Sequence, residues 1–356
     1  MAQRRHPLSD VAREHTMQGL IDQLRQGVDL DAAEVEHAVS KLTAPGVSQD
    51  LKAEFLKALR EKGETATEIA AFAHSLLARA IPPGLDDADL PGPMIDICGT
   101  GGDQLDLFNI STTAMFILAA GGASVVKHGN RAITSKCGGA DVLEALGVRI
   151  DLPPAEFRKC MEAHGVGFLF APAYHPAFKA IGPVRKRLAA EGVPTVFNLL
   201  GPLLNPARPP YQLVGVFSPM LLPKYAETLA VMGRARAWAV HGSGMDELSL
   251  SGISAVHEVA GGLVRDFVVD PATLGLPHAE VAVFRGGGPA ENSAILTSIL
   301  DGHETGPRRD IVLLNAAAAF VVAGLAPGLA EGLEVAHEQI DSGRALAKLR
   351  ALQSWP

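Results

Sequence analysis

The sequence has few cysteines and no excess of positive charge, and both features exclude classes of protein. Its only cysteines are Cys98, Cys137 and Cys160, and their spacing gives neither a CxxC pair nor a zinc-binding pattern. We therefore expect a reduced, cytoplasmic compartment. The formal net charge is -8, whereas proteins that coat DNA or RNA are usually basic, so we expect no nucleic-acid partner. A small anionic ligand needs only a local positive site and is not excluded.

Long apolar runs are also missing. The longest, near Ala114–Ala120 and Ala316–Ala323, are too short to span a membrane and are typical of buried helices. The N-terminal MAQRRHPLSD is followed by polar residues, so we expect no signal peptide. The sequence contains no long repeat and no low-complexity segment. With 356 residues, 47% of them hydrophobic and 20% charged, it suits a globular protein of two domains.

The N-terminal part of the chain is predicted to be helical. Residues 12–80 contain two capping boxes, DAAE at 31–34 and TATE at 65–68, and Gly63 is a plausible end of a helix. Residues 81–93 combine proline, glycine and acids and therefore indicate a linker. We predict a helical domain over residues 1–90.

After Pro93, strands and helices alternate, which predicts an α/β domain with a mainly parallel central sheet over residues 91–175 and 210–356. Residues 176–209, with a helix over Ala177–Leu188, interrupt the alternation, and we predict that they pack back onto the helical domain. The predicted strands are Met94–Cys98, Ser124–Val126, Val166–Phe170, Gln212–Phe217 and Ala237–His241. The helices between the first three strands are predicted to begin near Asn109–Ser111 and to cover Ala140–Leu146.

The first candidate binding element is the loop DICGTGGD at residues 96–103. Glycines let a backbone approach a ligand closely, and consecutive amides can cradle an anion. The alternative is an ordinary tight turn after a strand. The loop is neither a Walker A motif nor a GxGxxG fingerprint, which weakens ATP and NAD as ligands.

Two further polar segments should reach the same sheet edge. NISTT at residues 109–113 lies at a predicted helix start, where free amides and the helix dipole favour an anion, although an ordinary N-cap explains the same residues. KHGNRAITS at residues 127–135 follows the next strand and offers Lys127 and Arg131 as cations. Its alternative is a solvated loop, which so dense a set of polar residues between apolar elements makes less favourable.

Two isolated features complete the candidate site. Asp246 and Glu247 follow a predicted strand and a glycine turn, and two neighbouring carboxylates suit Mg²⁺ when a phosphate completes the coordination. A surface acid pair is the ordinary alternative. Arg185 presents a planar fork suited to a carboxylate, but by itself it is typical of a surface cation.

The ordered set GTGGD, NIST, KHGNRA, GGADVLEALG, FNLLGPLLNP and DEL resembles the anthranilate phosphoribosyltransferase family across roughly residues 14–350. Each motif is weak alone, whereas the ordered set is highly specific. The resemblance implies a nucleoside phosphorylase-like fold and a homodimer. It also implies Mg²⁺-dependent transfer of phosphoribose from 5-phosphoribosyl 1-diphosphate to anthranilate in tryptophan biosynthesis, with two ions expected per site.

The resemblance also implies roles for individual residues, and it gives no residue a role as acid or base. Metal ligands would be Ser111, Asp246 and Glu247. Anthranilate would contact Gly99, His128, Asn130 and Arg185. The ribosyl diphosphate would contact Gly99, Gly102, Asp103, Asn109, Ile110, Ser111, Thr112, Lys127, His128, Gly129, Asn130, Arg131, Ala132, Ile133, Thr134, Ser135 and Gly139.

The sequence departs from the common family pattern at four places. Leu107 and Gly139 stand where hydroxyl residues are frequent, Thr134 replaces a frequent serine, and residues 189–195 replace a shorter connection. The first three bear on the affinity for diphosphate and the last on the hinge. Two rivals remain. A pyrimidine nucleoside phosphorylase would need no Mg²⁺, and a non-catalytic relative that binds nucleic acid would lack the glycine loop and carry a basic surface.

Overall fold

A computed structural model describes residues 16–132 and 135–356. The chain forms two compact units. The first contains the described residues up to Ala80 together with His175–Leu200, and the second contains Ile81–Tyr174 and Gly201–Pro356. Within the described ranges, none of the helices combines the length and the apolar character needed to cross a membrane.

The first unit is a bundle of helices, as predicted for the N-terminal part of the chain. Both capping boxes are formed, at Asp31 with Glu34 and at Thr65 with Glu68, and Gly63 ends its helix at a φ of 88°. The side chains that pack between the helices include Phe55 and Phe72, both with no exposed surface. Its helices are α1 (Met17–Arg25), α2 (Ala32–Thr43), α3 (Gln49–Lys62), α4 (Ala66–Leu77), α9 (Phe178–Ala190) and α10 (Phe197–Leu200).

The predicted return segment 176–209 is divided between the units. Its helix, α9, belongs to the bundle, but residues 201–209 belong to the second unit. The reason lies in buried amides. The Nε2 of Gln212 donates to the carbonyl of Pro202 at 2.7 Å, and the Nδ2 of Asn205 donates to that of Val126 at 2.7 Å. Residues 81–90 were predicted within the helical domain but also lie in the second unit. The amide of Ile81 donates to the carbonyl of Tyr174 in that unit.

The second unit is built on one sheet of seven strands in its described residues, in the order β3-β2-β1-β4-β5-β6-β7. The strands from β3 to β5 in this order pair in parallel, and β6 pairs antiparallel with both β5 and β7. The strands are β1 (Met94–Gly99), β2 (Ser124–Gly129), β3 (Val166–Phe170), β4 (Tyr211–Gly215), β5 (Arg236–Gly242), β6 (Ser254–Ala260) and β7 (Leu263–Val269). A small helical domain beside an α/β domain with a mostly parallel sheet confirms the predicted fold class.

Helices pack around this sheet, and the most apolar of them are almost entirely buried. Every residue of Ile311–Val322 is buried, as are most residues of the helix after β1. The unit's helices are α5 (Ile110–Ala120), α6 (Gly139–Ala145), α7 (Pro154–His164), α8 (Ala171–Tyr174), α11 (Leu222–Val231), α12 (Pro289–Leu300), α13 (Pro307–Val322), α14 (Leu329–Asp341) and α15 (Arg344–Gln353). Short 3-10 turns cover Gly201–Leu203, Pro219–Leu221, Pro271–Leu274 and Val281–Phe284.

The hairpin β6–β7 is an element that the sequence analysis did not predict. Its signal was present, since two short valine-containing runs flank Gly261-Gly262, a pair that suits a two-residue turn. Both glycines have positive φ, 57° and 79°. The hairpin extends the sheet beyond β5, and the loop that enters it carries Asp246 and Glu247.

Candidate active site

The candidate site lies where the strand order reverses. β1 and β4 are adjacent and parallel, but β1 continues towards β2 on one side and β4 towards β5 on the other. In open α/β sheets, ligands bind outside the carboxyl ends of the strands at such a point. The strands end together there, with Gly99 of β1 opposite Gly215 of β4. The predicted loops after β1, β2 and β5 therefore open at one sheet edge.

Two glycines at this edge permit an unusually close approach by the acidic loop. A Cβ on Gly99 would lie 2.2 Å from Oδ2 of Asp246, and a Cβ on Gly215 would lie 1.4 Å from the backbone oxygen of Asp246. Gly101 and Gly102 have φ values of 66° and 89°, which favour glycine. Gly215 was not predicted as a site residue, and its only signal in the sequence was its place near the end of the predicted strand Gln212–Phe217.

Three carboxylates, those of Asp103, Asp246 and Glu247, meet beside the glycine loop. The amide of Gly101 donates to Oδ2 of Asp246 at 2.7 Å, and Asp103 and Asp246 share a hydrogen bond. Burial, followed by the charge of Asp246, raises the pKa of Asp103 to about 6. Burial also raises the pKa of Asp246, and burial with the Asp246 charge raises that of Glu247 well above its ordinary value. Burial thus disfavours the ionised form of all three carboxylates, and a bound cation would favour that form.

Lys127 is the cation that faces these acids. The residue is 4% exposed, and its ammonium donates to the carbonyl of Ile97 and, at 3.1 Å, to Oγ of Ser111. Beneath it lies the fully buried Asp96, which accepts from Nδ2 of Asn205 at 3.0 Å. Lys127 is therefore held by the strand β1 and the helix start, and its charge acts on Asp96, Asp246 and Glu247 alike.

The start of helix α5 lies next to the acids and is not capped by the side chain of its own N-cap residue. Asn109 is the N-cap residue but makes no side-chain cap hydrogen bond. Its Nδ2 instead donates to the carbonyl of Cys137 at 3.2 Å. The backbone amide of Ser111 donates to Glu247. The first turn thus offers amide donors and a positive helix end to an acceptor group, as the prediction of an anion site requires.

The loop after β2 is only partly gathered at the site. The amide of His128 donates to Asp96 at 3.4 Å, so this end lies at the sheet edge. The guanidinium of Arg131 instead pairs with Glu144 at 2.7 and 2.9 Å and stacks over Phe170. Gly139 approaches the site, since a Cβ there would lie 3.2 Å from Oγ1 of Thr112. Ile133 and Thr134 lie outside the described residues.

No group of three or more His, Cys, Asp or Glu side chains is arranged to hold a metal ion by itself within residues 16–132 and 135–356. The neighbouring carboxylates of Asp246 and Glu247 are hard oxygen donors with raised pKa values. The donor set thus fits a magnesium ion that takes its remaining oxygens from a bound phosphate and from water.

Arg185 lies in the helical unit, on α9, beside two aromatic rings that pack edge to face with their centres 5.7 Å apart. Its guanidinium carbon is 5.7 Å from the centre of Phe178 and 5.2 Å from that of Phe197. Burial lowers the pKa of Arg185, and in the described part of the chain no acidic side chain forms an ion pair with it. A desolvated, stacked guanidinium of this kind is suited to a planar carboxylate from a ligand. The nearby departure at 189–195 forms the end of α9 and a turn at Gly192, with a φ of 70°.

Known proteins resemble this chain over most of its length. The glycosyl transferase family α/β domain matches residues 91–346, and the helical bundle domain of the same family matches residues 18–80. The anthranilate phosphoribosyltransferase of Caulobacter vibrioides is 48% identical to this chain, and the match covers 94% of this chain and 95% of that protein.

Solved structures are also similar. The crystal structure of anthranilate phosphoribosyltransferase from Thermus thermophilus has a TM-score of 0.87 at 42% identity, covering 94% of this chain and 98% of that one. The enzyme from Saccharomyces cerevisiae in complex with PRPP and Mg has a TM-score of 0.81 at 30% identity, with 98% of each chain covered. This chain belongs to the anthranilate phosphoribosyltransferase family.

Proposed function

We propose that this protein transfers the phosphoribosyl group of 5-phosphoribosyl 1-diphosphate to the amine of anthranilate, giving N-(5-phosphoribosyl)anthranilate and diphosphate. One observation carries the proposal. At a single strand-order switch point, a helix start whose N-cap side chain makes no capping bond, a buried lysine and an acidic cluster lie beside a glycine loop. A sugar diphosphate with Mg²⁺ presents charges that complement all of these groups.

Mg²⁺ is the cofactor in this proposal, with Asp246, Glu247 and Ser111 as its protein ligands, and two ions per site are expected. When bound, it supplies positive charge that stabilises the leaving diphosphate. The burial of the acids agrees with this assignment. Because burial raises the pKa values of both Asp103 and Asp246, a bound cation would stabilise their ionised forms.

The chain's own donors hold the rest of the diphosphate. Amides of the glycine loop and of the first turn of α5 would bind phosphate oxygens. In this structure those of Gly101 and Ser111 donate to Asp246 and Glu247. Lys127 is fixed by Ile97 and Ser111, so its ammonium needs no rearrangement to meet developing negative charge. Residues 127–135 would wrap the phosphates, with Gly139 as a further contact and with Arg131 released from Glu144 or acting through its backbone.

The second substrate needs placement more than proton transfer. The amine of anthranilate is already neutral, so its lone pair is available when C1 of the ribose loses the diphosphate. Arg185, which lies beside the rings of Phe178 and Phe197, would hold the carboxylate of anthranilate, with Gly99, His128 and Asn130 lining its path. Holding the amine near C1 is the main source of acceleration in this proposal, and no general base is assigned.

The test mixes purified protein with 5-phosphoribosyl 1-diphosphate, Mg²⁺ and anthranilate and follows the loss of anthranilate fluorescence. We expect saturable loss that EDTA abolishes. No loss of signal, together with phosphorolysis of thymidine or uridine, would favour a nucleoside phosphorylase instead.

A double variant tests the metal ligands. Asp246→Ala with Glu247→Ala should lower kcat by at least about 100-fold at saturating Mg²⁺, because the diphosphate loses its bound counter-charge. Asp86→Ala with Asp87→Ala is the matched control, since it removes two adjacent acids that are exposed. Turnover that is equal in the two double variants would contradict the metal assignment.

The assembly and the compartment remain proposals as well. We propose a homodimer, which light scattering coupled to gel filtration tests directly. We also propose a cytoplasmic protein with small-molecule substrates and no nucleic-acid or membrane partner, in keeping with its three free, buried cysteines and its net charge of -8.

A further inference from the structure

Two buried asparagines of the C-terminal helices lie outside every sequence motif of the site. Asn292 is on α12 and Asn315 on α13, and they are 1% and 0% exposed. Asparagine is a poor residue for the interior of a helix, and an apolar side chain would suit a buried helix face better. The hydrogen bonds of both amides instead reach towards the two halves of the candidate site.

Asn292 holds the start of α5. Its Nδ2 donates to Oδ1 of Asn109 at 2.9 Å, while its Oδ1 accepts from the amide of Gly287 at 2.8 Å. It also forms a hydrogen bond with the thiol of Cys137, the residue whose carbonyl accepts from Asn109. One amide therefore joins the helix start, the loop after β2 and the loop before α12.

The packing around Asn292 leaves little room for another arrangement. A Cβ on Gly286 would lie 2.3 Å from Oδ1 of Asn292 and 2.8 Å from Cα of Phe108. The chain there is also paired by backbone hydrogen bonds, from Phe108 to Phe284 at 2.9 Å and from Gly286 to Asp106 at 2.8 Å. The segment before α5 is thus clamped against the segment before α12, with the asparagine amide at the contact.

Asn315 holds the acidic pair in a similar way. Its Oδ1 accepts from the amide of Leu248 at 3.0 Å, and its Nδ2 donates to the carbonyl of the same residue at 3.0 Å. Leu248 directly follows Asp246 and Glu247. These acids lie in the connection between β5 and β6, which has no helix or strand to fix it. A two-point bond to one residue fixes both its position and its orientation.

We propose that Asn292 and Asn315 are positioning residues for the transfer reaction, Asn292 for the diphosphate-binding helix start and Asn315 for the Mg²⁺-binding acidic pair. This inference rests on the proposed function, because it takes the diphosphate and Mg²⁺ as the ligands of the two halves. The separation of the two asparagines predicts separable effects, which a general loss of stability would not produce.

The experiment uses the full chain and two variants at each position. Asn292→Leu and Asn315→Leu remove all hydrogen bonding at similar volume. Asn292→Asp and Asn315→Asp keep the acceptor for Gly287 or Leu248 but lose the donor, and they serve if a leucine variant fails to fold. Gln339→Met is the matched control, because Gln339 is a buried amide, 3% exposed, whose bonds are to Val335 and Arg344. Its helix, α14, lies beside Gly121 at the other end of α5.

Two binding measurements accompany the steady-state assay. Calorimetry gives the Kd of 5-phosphoribosyl 1-diphosphate at saturating Mg²⁺, and a Mg²⁺ titration at saturating ribosyl diphosphate gives the half-maximal concentration of the metal. We expect Asn292 variants to raise the Kd at least about tenfold with little change in the Mg²⁺ requirement. Asn315 variants should raise the half-maximal Mg²⁺ concentration at least about tenfold with a smaller change in the Kd.

Each outcome is decisive. The crossed pattern, with Gln339→Met losing thermal stability but leaving both values within about twofold, supports the inference. Equal losses of Tm in all variants with both values unchanged would overturn it and leave the proposed function intact. A wild-type protein that binds no ribosyl diphosphate would overturn the proposed function, and the inference with it.

Discussion

Gly215→Ala is the substitution for which the structure gives the sharpest expectation. The added Cβ would lie 1.4 Å from the backbone oxygen of Asp246 and 2.2 Å from its carbonyl carbon. An ordinary contact needs about 3.4 Å, so the acidic loop or the end of β4 must move by roughly 2 Å. Backbone on both sides leaves no flexible side-chain end to turn away. Displacement of about 1 Å at a reacting site already costs on the order of 100-fold in rate.

We therefore expect Gly215→Ala to lower kcat/KM for 5-phosphoribosyl 1-diphosphate by more than about 100-fold. Overpacking of this kind also costs about 1–3 kcal/mol of stability, which for a domain of this size lowers Tm by roughly 2–4 °C per kcal/mol. Steady-state kinetics and thermal unfolding measure the two effects on the same samples.

Gly46→Ala is the matched control, because a Cβ on Gly46 meets nothing within 4 Å. It should leave both kcat/KM and Tm nearly unchanged. If Gly215→Ala keeps kcat/KM within about twofold of the control, the acidic loop does not lie close to β4. The geometry on which the metal site depends would then be wrong as well.

Two further predictions concern charge. Asp103 has its pKa raised to about 6, so the folded state keeps a proton that the unfolded state loses near 3.8, and its contribution to stability falls as the pH rises between these values. In EDTA, the free energy of unfolding of Asp103→Asn, relative to wild type, should therefore rise from pH 4 to pH 7 by about 1–2 kcal/mol after solvent screening. Denaturant unfolding measures this difference. A difference that stays constant with pH would contradict the raised pKa of Asp103. Arg185→Lys keeps the charge but loses the planar fork and the stacking on Phe178 and Phe197. It should raise the KM for anthranilate about tenfold or more while kcat and the KM for ribosyl diphosphate change little, and the opposite split would contradict its role.

Local signals in the sequence were sufficient wherever a short stretch decides the structure. The capping boxes at 31–34 and 65–68 place helix starts because each side chain bonds an amide three residues away. The strand Val166–Phe170 has the predicted bounds, and the helix after β1 begins next to Asn109 as expected. The β6–β7 hairpin was missed although its Gly-Gly turn is equally local.

Contacts between distant segments lay beyond what the sequence alone could give. Residues 201–209 join the α/β unit through hydrogen bonds of Gln212 and Asn205. The sequence positions of these two amides do not indicate which residues they bond. The pairing of Arg131 with Glu144 likewise depends on the tertiary structure. In the sequence, Arg131 is simply a cation in a loop of polar residues that suits phosphate.

The sequence by itself determined the family, the fold class and the groups available for chemistry, because ordered motifs and hydrophobic periodicity are written along the chain. Only the tertiary structure decided how those groups meet. It brings Asp246 against Gly215 and Gly99, turns Asn109 from a helix cap into a partner of Asn292, and fixes Leu248 through Asn315. The physical reason is that these contacts join residues far apart in sequence through buried amides and missing Cβ atoms. Neither feature produces a periodic pattern or a fixed spacing along the sequence.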